Sequence, residues 1–145
     1  MKKTILISLI GLFFLATHVQ SQQWQKSWDV SKQLAKTENK KILLNFSGSD
    51  WCLPCMRMHK FILSSDEFVK YADQHLILYN ADFPRKQGTL TKEQIAVNRS
   101  LADKYNSEGH FPLTILLDPD GKVIKEWNGY YTKGVQNFIQ EINGE

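Results

Sequence analysis

The sequence predicts an α/β sandwich built on a mixed central sheet. Three observations lead there. Short apolar runs at residues 41–46, 76–81 and 113–117 have strand length, and stretches of helical spacing separate them. Strands divided by helices need crossover connections, so the early ones pair in parallel. Asp118-Pro119-Asp120-Gly121 is a strong turn signal ahead of a charged run at 122–127, which makes the last two strands a hairpin. The 145 residues suffice for one ordinary domain with its own core.

In chain order, residues 1–21 read as a secretory signal peptide. Lys2 and Lys3 form its charged start, and an apolar run extends from Ile5 to Ala16. That run is short of the roughly 20 residues that a membrane span needs. The mature domain is expected to cover residues 22–145, outside the cytoplasm and in the periplasm. An uncleaved anchor, the competing reading, would also leave the folded part outside the cytoplasm. Of the formal net charge of +3, two units belong to Lys2 and Lys3. No basic field remains to hold nucleic acid or a membrane surface.

Residues 24–38 are expected to form the first helix, with Trp24, Trp28 and Ala35 near one face. Residues 41–46 are a short apolar run, best read as a buried central strand. Ser47 to Asp50 is a turn, and a helix begins within Trp51-Cys52-Leu53-Pro54-Cys55. Pro54 fits there because first-turn N–H groups have no intrahelical partner. Ser64-x-x-Glu67 and Thr91-x-x-Gln94 read as capping boxes for two further helices. Ile95, Leu101, Ala102 and Tyr105 are core candidates of the second. Val135, Phe138, Ile139 and Ile142 give an amphipathic final helix.

The chemistry is expected at the only two cysteines, Cys52 and Cys55. A strand feeding a Cys-x-x-Cys at a helix N-terminus favours the thiolate, which is the nucleophile. Cys52 is expected nearer solvent as the attacking thiol, with Cys55 turned inward to resolve. The ring that the pair closes is too small to remove much chain entropy, so it makes a poor staple and a good redox switch. A second reading takes Cys52, Cys55, Met56, Met58 and His59 as soft ligands for Cu(I). Against it, methionine on a helix is more often core packing, and no second cysteine pair completes a zinc site. His110 reads as a loop histidine, and Lys40-Lys41 and Arg85-Lys86 as solvated charge.

Taken together, Trp-Cys-x-Pro-Cys, the strand ahead of it, Pro112 before a later strand and the Asp-Pro-Asp-Gly hairpin resemble the thioredoxin superfamily. The form is most similar to exported thioredoxin-like proteins and to the C-terminal domains of membrane thiol reductases. The resemblance implies a thioredoxin-like three-layer α/β/α sandwich and thiol–disulfide exchange through a redox-active Cys52–Cys55 disulfide. It implies a cis bond at Pro112, a substrate groove at Trp51, Phe111 and Pro112, and a groove glycine at Gly129. The expected partners are disulfide-containing or dithiol proteins and a membrane thiol electron donor. The chain is expected to act as a monomer, with no dissociable cofactor and no metal. Proline at the second intervening position leans toward a reductase over an oxidase or isomerase. A third reading is an adaptor that captures peptides near Phe111. One departure stands out: thioredoxin carries a buried Asp on the strand before the cysteines, where this chain offers Asn45. That leaves Asp50 or water as candidates for its proton-handling part.

Overall fold

A computed structural model describes residues 24–144, and the expected signal segment at 1–21 lies outside them. Helix α1 spans Trp28–Glu38, later than expected from Trp24. The reason is local. Ser27 caps the helix by accepting from the Val30 N–H, while Gln25 pairs with Tyr79 as an isolated parallel bridge. Asn39, at φ 51°, ends it in the left-handed region that Asn tolerates better than most residues.

Strand β1 (Lys41–Ser47) leads to helix α2 (Leu53–Met58), which runs directly into a π-helical segment at His59–Leu63. That segment shifts the next cap. Helix α3 (Asp66–His75) is capped by Ser65, whose side chain accepts from the Phe68 N–H, and not by Ser64 as the sequence spacing suggested. Ser64 closes the π segment instead, its N–H donating to the carbonyls of His59 and Ile62. Strand β2 (Leu76–Asp82) follows at once. Helix α4 (Lys92–Tyr105) does carry the expected capping box, with both the Thr91 and Gln94 side chains engaged. Ile95 on it is 38% exposed and not core, whereas Leu101 is buried. Strands β3 (Leu113–Leu117) and β4 (Val123–Asn128) form the hairpin, and α5 (Val135–Asn143) closes the fold.

The sheet order is β2-β1-β3-β4. Strand β1 pairs in parallel with β2 and antiparallel with β3, so the sheet is mixed and β1 is central, as expected. Strand β4 is an edge and carries the charge that edges use against stray pairing. Two apolar clusters flank the sheet and make three layers. Ile42, Leu44 and Phe46 of β1 pack with Ala35 of α1 and Leu101 of α4. Leu43 points to the opposite face and packs with Met58, Phe68 and Phe138.

Lys41 is not simply solvated charge. Its Nζ donates to the Ile142 carbonyl of α5 at 3.1 Å, tying the start of the central strand to the last helix. Lys40 Nζ donates to the Asp73 carbonyl in the same way. Helix α5 is also fixed through Glu141. Its carboxylate accepts from Trp127 Nε1–H and Tyr131 O–H, both at 2.8 Å, and pairs with Lys125 and Lys133. These donors, the Trp127 indole first, pull its pKa down from 4.5 to about 2. Burial, reinforced by Glu141, pushes the Tyr131 phenol up to about 12.

A carboxyl whose pKa is depressed by folding contributes stability that is present above its unfolded pKa. For Glu141 that contribution fades as pH falls from 4.5 toward about 2. Urea midpoints followed from neutral to acid pH should therefore drop more steeply for the wild type than for Glu141→Gln. The two profiles are expected to converge at the acid end.

Candidate active site

The site grows from the end of β1. Successive residues of a strand face opposite sides, so Leu43, Asn45 and Ser47 share one face of the sheet. In register beside them lie Leu78, Asn80 and Asp82 of β2. From β3 come Leu116 and Thr114, opposite Leu43 and Asn45. Each strand therefore changes from apolar to polar on this one face, at the end nearest the cysteines. Thr114 donates to Asn45 Oδ1 at 3.0 Å, Asn45 Nδ2 donates to Asn80 Oδ1 at 2.9 Å, and Ser47 Oγ donates to both Asn80 and Asp82. Among the described residues no buried side-chain nitrogen or oxygen lacks a partner. Asn45, Ser47 and Asn80 line a cavity of about 290 Å³ together with Cys55, Met56 and His59.

The chain leaves β1 through a turn fastened by Asp82, which accepts from the Ser49 N–H and hydroxyl. Gly48 then allows the next close approach. A Cβ there would lie 2.2 Å from the Trp51 ring, and the Cys52 N–H donates to the Gly48 carbonyl at 2.9 Å. Cys52 is the N-cap of α2, and its Sγ accepts the Cys55 N–H at 3.2 Å.

Cys52 and Cys55 are joined as a disulfide. Both residues are 4% exposed, so the expected contrast between an outer and an inner cysteine is absent in this oxidised form. Leu53 and Met56, next to them in the first turns of α2, are exposed. Met58 is fully buried in the core and is no candidate ligand for a metal. Met56 and His59 do share a cavity wall with Cys55. Among the described residues no three His, Cys, Asp or Glu side chains are gathered as a metal site. His59 is held beside Ser64, 3.0 Å from its hydroxyl, and its ring stacks on Trp24.

Trp51 and Phe111, expected to share a groove, meet edge to face with ring centroids 5.5 Å apart. Phe83 joins them, 5.5 Å from Phe111, and its carbonyl accepts the Trp51 indole N–H at 2.7 Å. The Phe111–Pro112 peptide is cis. The Pro112 carbonyl accepts the Gly129 N–H at 2.8 Å, which brings the expected groove glycine to that corner. His110 pairs with Glu108 in its loop, as a loop histidine does.

One expectation is corrected here. Arg85 is not merely solvated: its guanidinium lies over the Trp51 ring, 4.9 Å from the centroid. Asp50, which the sequence left open beside water as a proton carrier, is engaged with the backbone that follows β2. Its carboxylate receives the backbone N–H groups of Arg85 and Lys86 at 2.9 and 2.8 Å, and these hold its pKa below the ordinary carboxylate range. An acid so stabilised in its ionised form is a poor carrier for a thiol proton.

Sequence reasoning missed Asn80, Asp82, Thr114, Phe83 and Arg85. A signal for the first three was present, since polar residues at alternate positions near the ends of otherwise apolar strands mark a polar stripe on one face.

The chain matches the thioredoxin-like domain family over residues 28–143. It is 38% identical over 120 residues to the disulfide bond reductase DsbH of Chlamydia pneumoniae, covering 83% of this chain and 70% of that protein. A solved structure of a DsbH oxidoreductase superposes with a TM-score of 0.78 at 31% identity, over 86% of this chain and 83% of that one. The oxidised C-terminal domain of Neisseria meningitidis DsbD gives a TM-score of 0.56 at 18% identity, covering 80% of this chain and 89% of that one, a likeness of fold alone.

Gly48→Ala drives a methyl group into the Trp51 ring, a form of overpacking that costs about 1–3 kcal/mol. A lower urea midpoint is expected, with a displaced Trp51 indole N–H resonance as its bond to Phe83 is lost. An unshifted resonance would show that Trp51 is not held by this slot.

Proposed function

The chain belongs to the thioredoxin-like family and is a thiol–disulfide oxidoreductase, and from that premise we propose that it reduces protein disulfides outside the cytoplasm. Cys52 is the attacking thiol and Cys55 the resolving one. The observation that carries these roles is the hydrogen bond from the Cys55 N–H to Cys52 Sγ. A backbone donor at Cys52 Sγ favours negative charge on that sulfur.

In the reduced pair, Cys52 thiolate attacks one sulfur of a substrate disulfide. A Cys52–substrate bond forms, the substrate S–S bond breaks, and the leaving thiolate takes up a proton. Cys55 then gives up its proton and attacks Cys52 Sγ. The intramolecular disulfide forms, and the second substrate thiolate leaves and is protonated. Two electrons have passed from the cysteine pair to the substrate. A membrane dithiol donor returns them by the same steps in reverse.

Trp51, Phe111 and Pro112 form the groove against which the substrate strand lies. Support for the reducing direction comes from Pro54 within the cysteine spacing and from the similar protein DsbH, which is named a disulfide bond reductase. Residues 1–21 act as the export signal and residues 22–145 as the working domain, a monomer in the periplasm. The charged start at Lys2-Lys3 and the apolar run behind it support export. No described helix is long and apolar enough to cross a membrane.

Insulin reduction by the mature chain should vanish in Cys52→Ser. Cys55→Ser should accumulate mixed disulfides that dithiothreitol releases. Titrated against thiol buffers, the pair should sit near the thioredoxin value of about −270 mV and not near the −120 mV or so of a strong oxidant. Full turnover by Cys52→Ser would end the assignment of roles, and an oxidising potential would reverse the direction.

A further inference from the structure

The segment between β2 and α4, together with Ile95 and Arg99 of α4, forms a second feature that thiol exchange itself does not use. It encloses a cavity of about 210 Å³. Phe83, Leu90 and Ile95 give it apolar walls, and Arg85, Lys86 and Arg99 bring three cations to its lining. Among the described residues no carboxylate lies within ion-pair distance of these three side chains. Asp82 also lines the cavity, but its oxygens already accept from Ser47 and Ser49. Asp50 lies close enough to Arg85 to feel its charge, and its hydrogen bonds go to the backbone of Arg85 and Lys86.

The cavity shares two residues with the wall beside the cysteines. Phe83 lines it and also meets Phe111, while Arg85 lines it and also covers Trp51, the neighbour of Cys52. A guanidinium stacked on an aromatic face is already ordered, so less freedom is lost when a carboxylate binds it. An apolar hollow bordered by cations fits a short acid side chain, with its methylenes on the walls and its carboxylate between the charges.

We propose that Arg85, Lys86 and Arg99 form a subsite for an acidic side chain of the substrate polypeptide, so that disulfides flanked by Asp or Glu are reduced preferentially. The inference rests on the reading of this protein as a reductase of protein disulfides. The cavity adds substrate choice to that activity, through attraction that steers and retains acidic segments.

The test uses the full mature chain, reduced beforehand, and three synthetic peptides that share one disulfide and differ in a flanking Glu, Gln or Lys. The expected kcat/KM for the Glu peptide exceeds that for the Gln peptide by up to roughly fivefold, the upper end of the range for solvent-exposed charge pairs. The Lys peptide should fall below both, and the difference should lie in KM. High salt and the Lys86→Gln/Arg99→Gln double variant should each bring the Glu-to-Gln ratio toward one. Arg99→Glu should shift preference toward the Lys peptide. A wild-type ratio of one, or a ratio that survives the double variant, overturns the subsite. Reduction of all three peptides at one rate leaves the exchange activity standing and removes only the subsite. Reduction of none removes both.

Discussion

Strand β1 is bonded on both edges, and the register of those bonds sets the rest of the molecule. Its parallel pairing with β2 puts Asn45 beside Asn80 and Ser47 beside Asp82. Its antiparallel pairing with β3 puts Thr114 beside Asn45. Slipping either ladder by one residue would turn this polar stripe to the wrong face and bury unpaired amides. The register therefore fixes both where the core ends and where the helix bearing the cysteines can sit. Asp82, placed by the same ladder, then anchors the turn that delivers Cys52.

The second organising group is aromatic. Trp51, Phe83 and Phe111 come from three separate connections, and each is held by something other than its own ring. Trp51 donates to a carbonyl, Phe83 receives that bond, and Phe111 precedes a cis proline whose carbonyl holds Gly129. The wall next to the disulfide is thus built from backbone contacts as much as from ring packing. Arg85 covers its outer face, and Asp50 pins the segment from which Arg85 projects.

Much of this was legible in the sequence, and the exceptions have physical causes. Apolar runs and the Asp-Pro-Asp-Gly turn located the strands, because burial and turn geometry each leave a local mark. The start of α1 and the cap of α3 were misplaced, because a bridge at Gln25 and a π segment at His59–Leu63 depend on partners distant in the chain or on an extra residue in a turn. Ile95 fits helical spacing for the core, yet α4 turns it outward beside a cavity. The cysteine pair and its neighbours Trp51, Phe111 and Pro112 were readable as a site because their chemistry and order are distinctive. Asn80, Asp82 and Thr114 show in the sequence as alternate polar positions, but their pairing with Asn45 and Ser47 comes from strand register, which a single sequence does not display. Arg85 looks like any surface arginine until the loop places it on a ring.

The tie between Lys41 and Ile142 joins positions 101 residues apart. Phe138, fully buried against Phe68, Trp127 and Tyr131, reaches back in the same way. Synthesis proceeds from the N-terminus, so the cysteines emerge long before the helix that seals the hydrophobic layer beneath them. Until that helix arrives, the layer lacks its lid, and β1, although it can already pair with β2 and β3, lacks the tie from Lys41. The order of manufacture thus separates the appearance of the thiols from the completion of the structure that controls them.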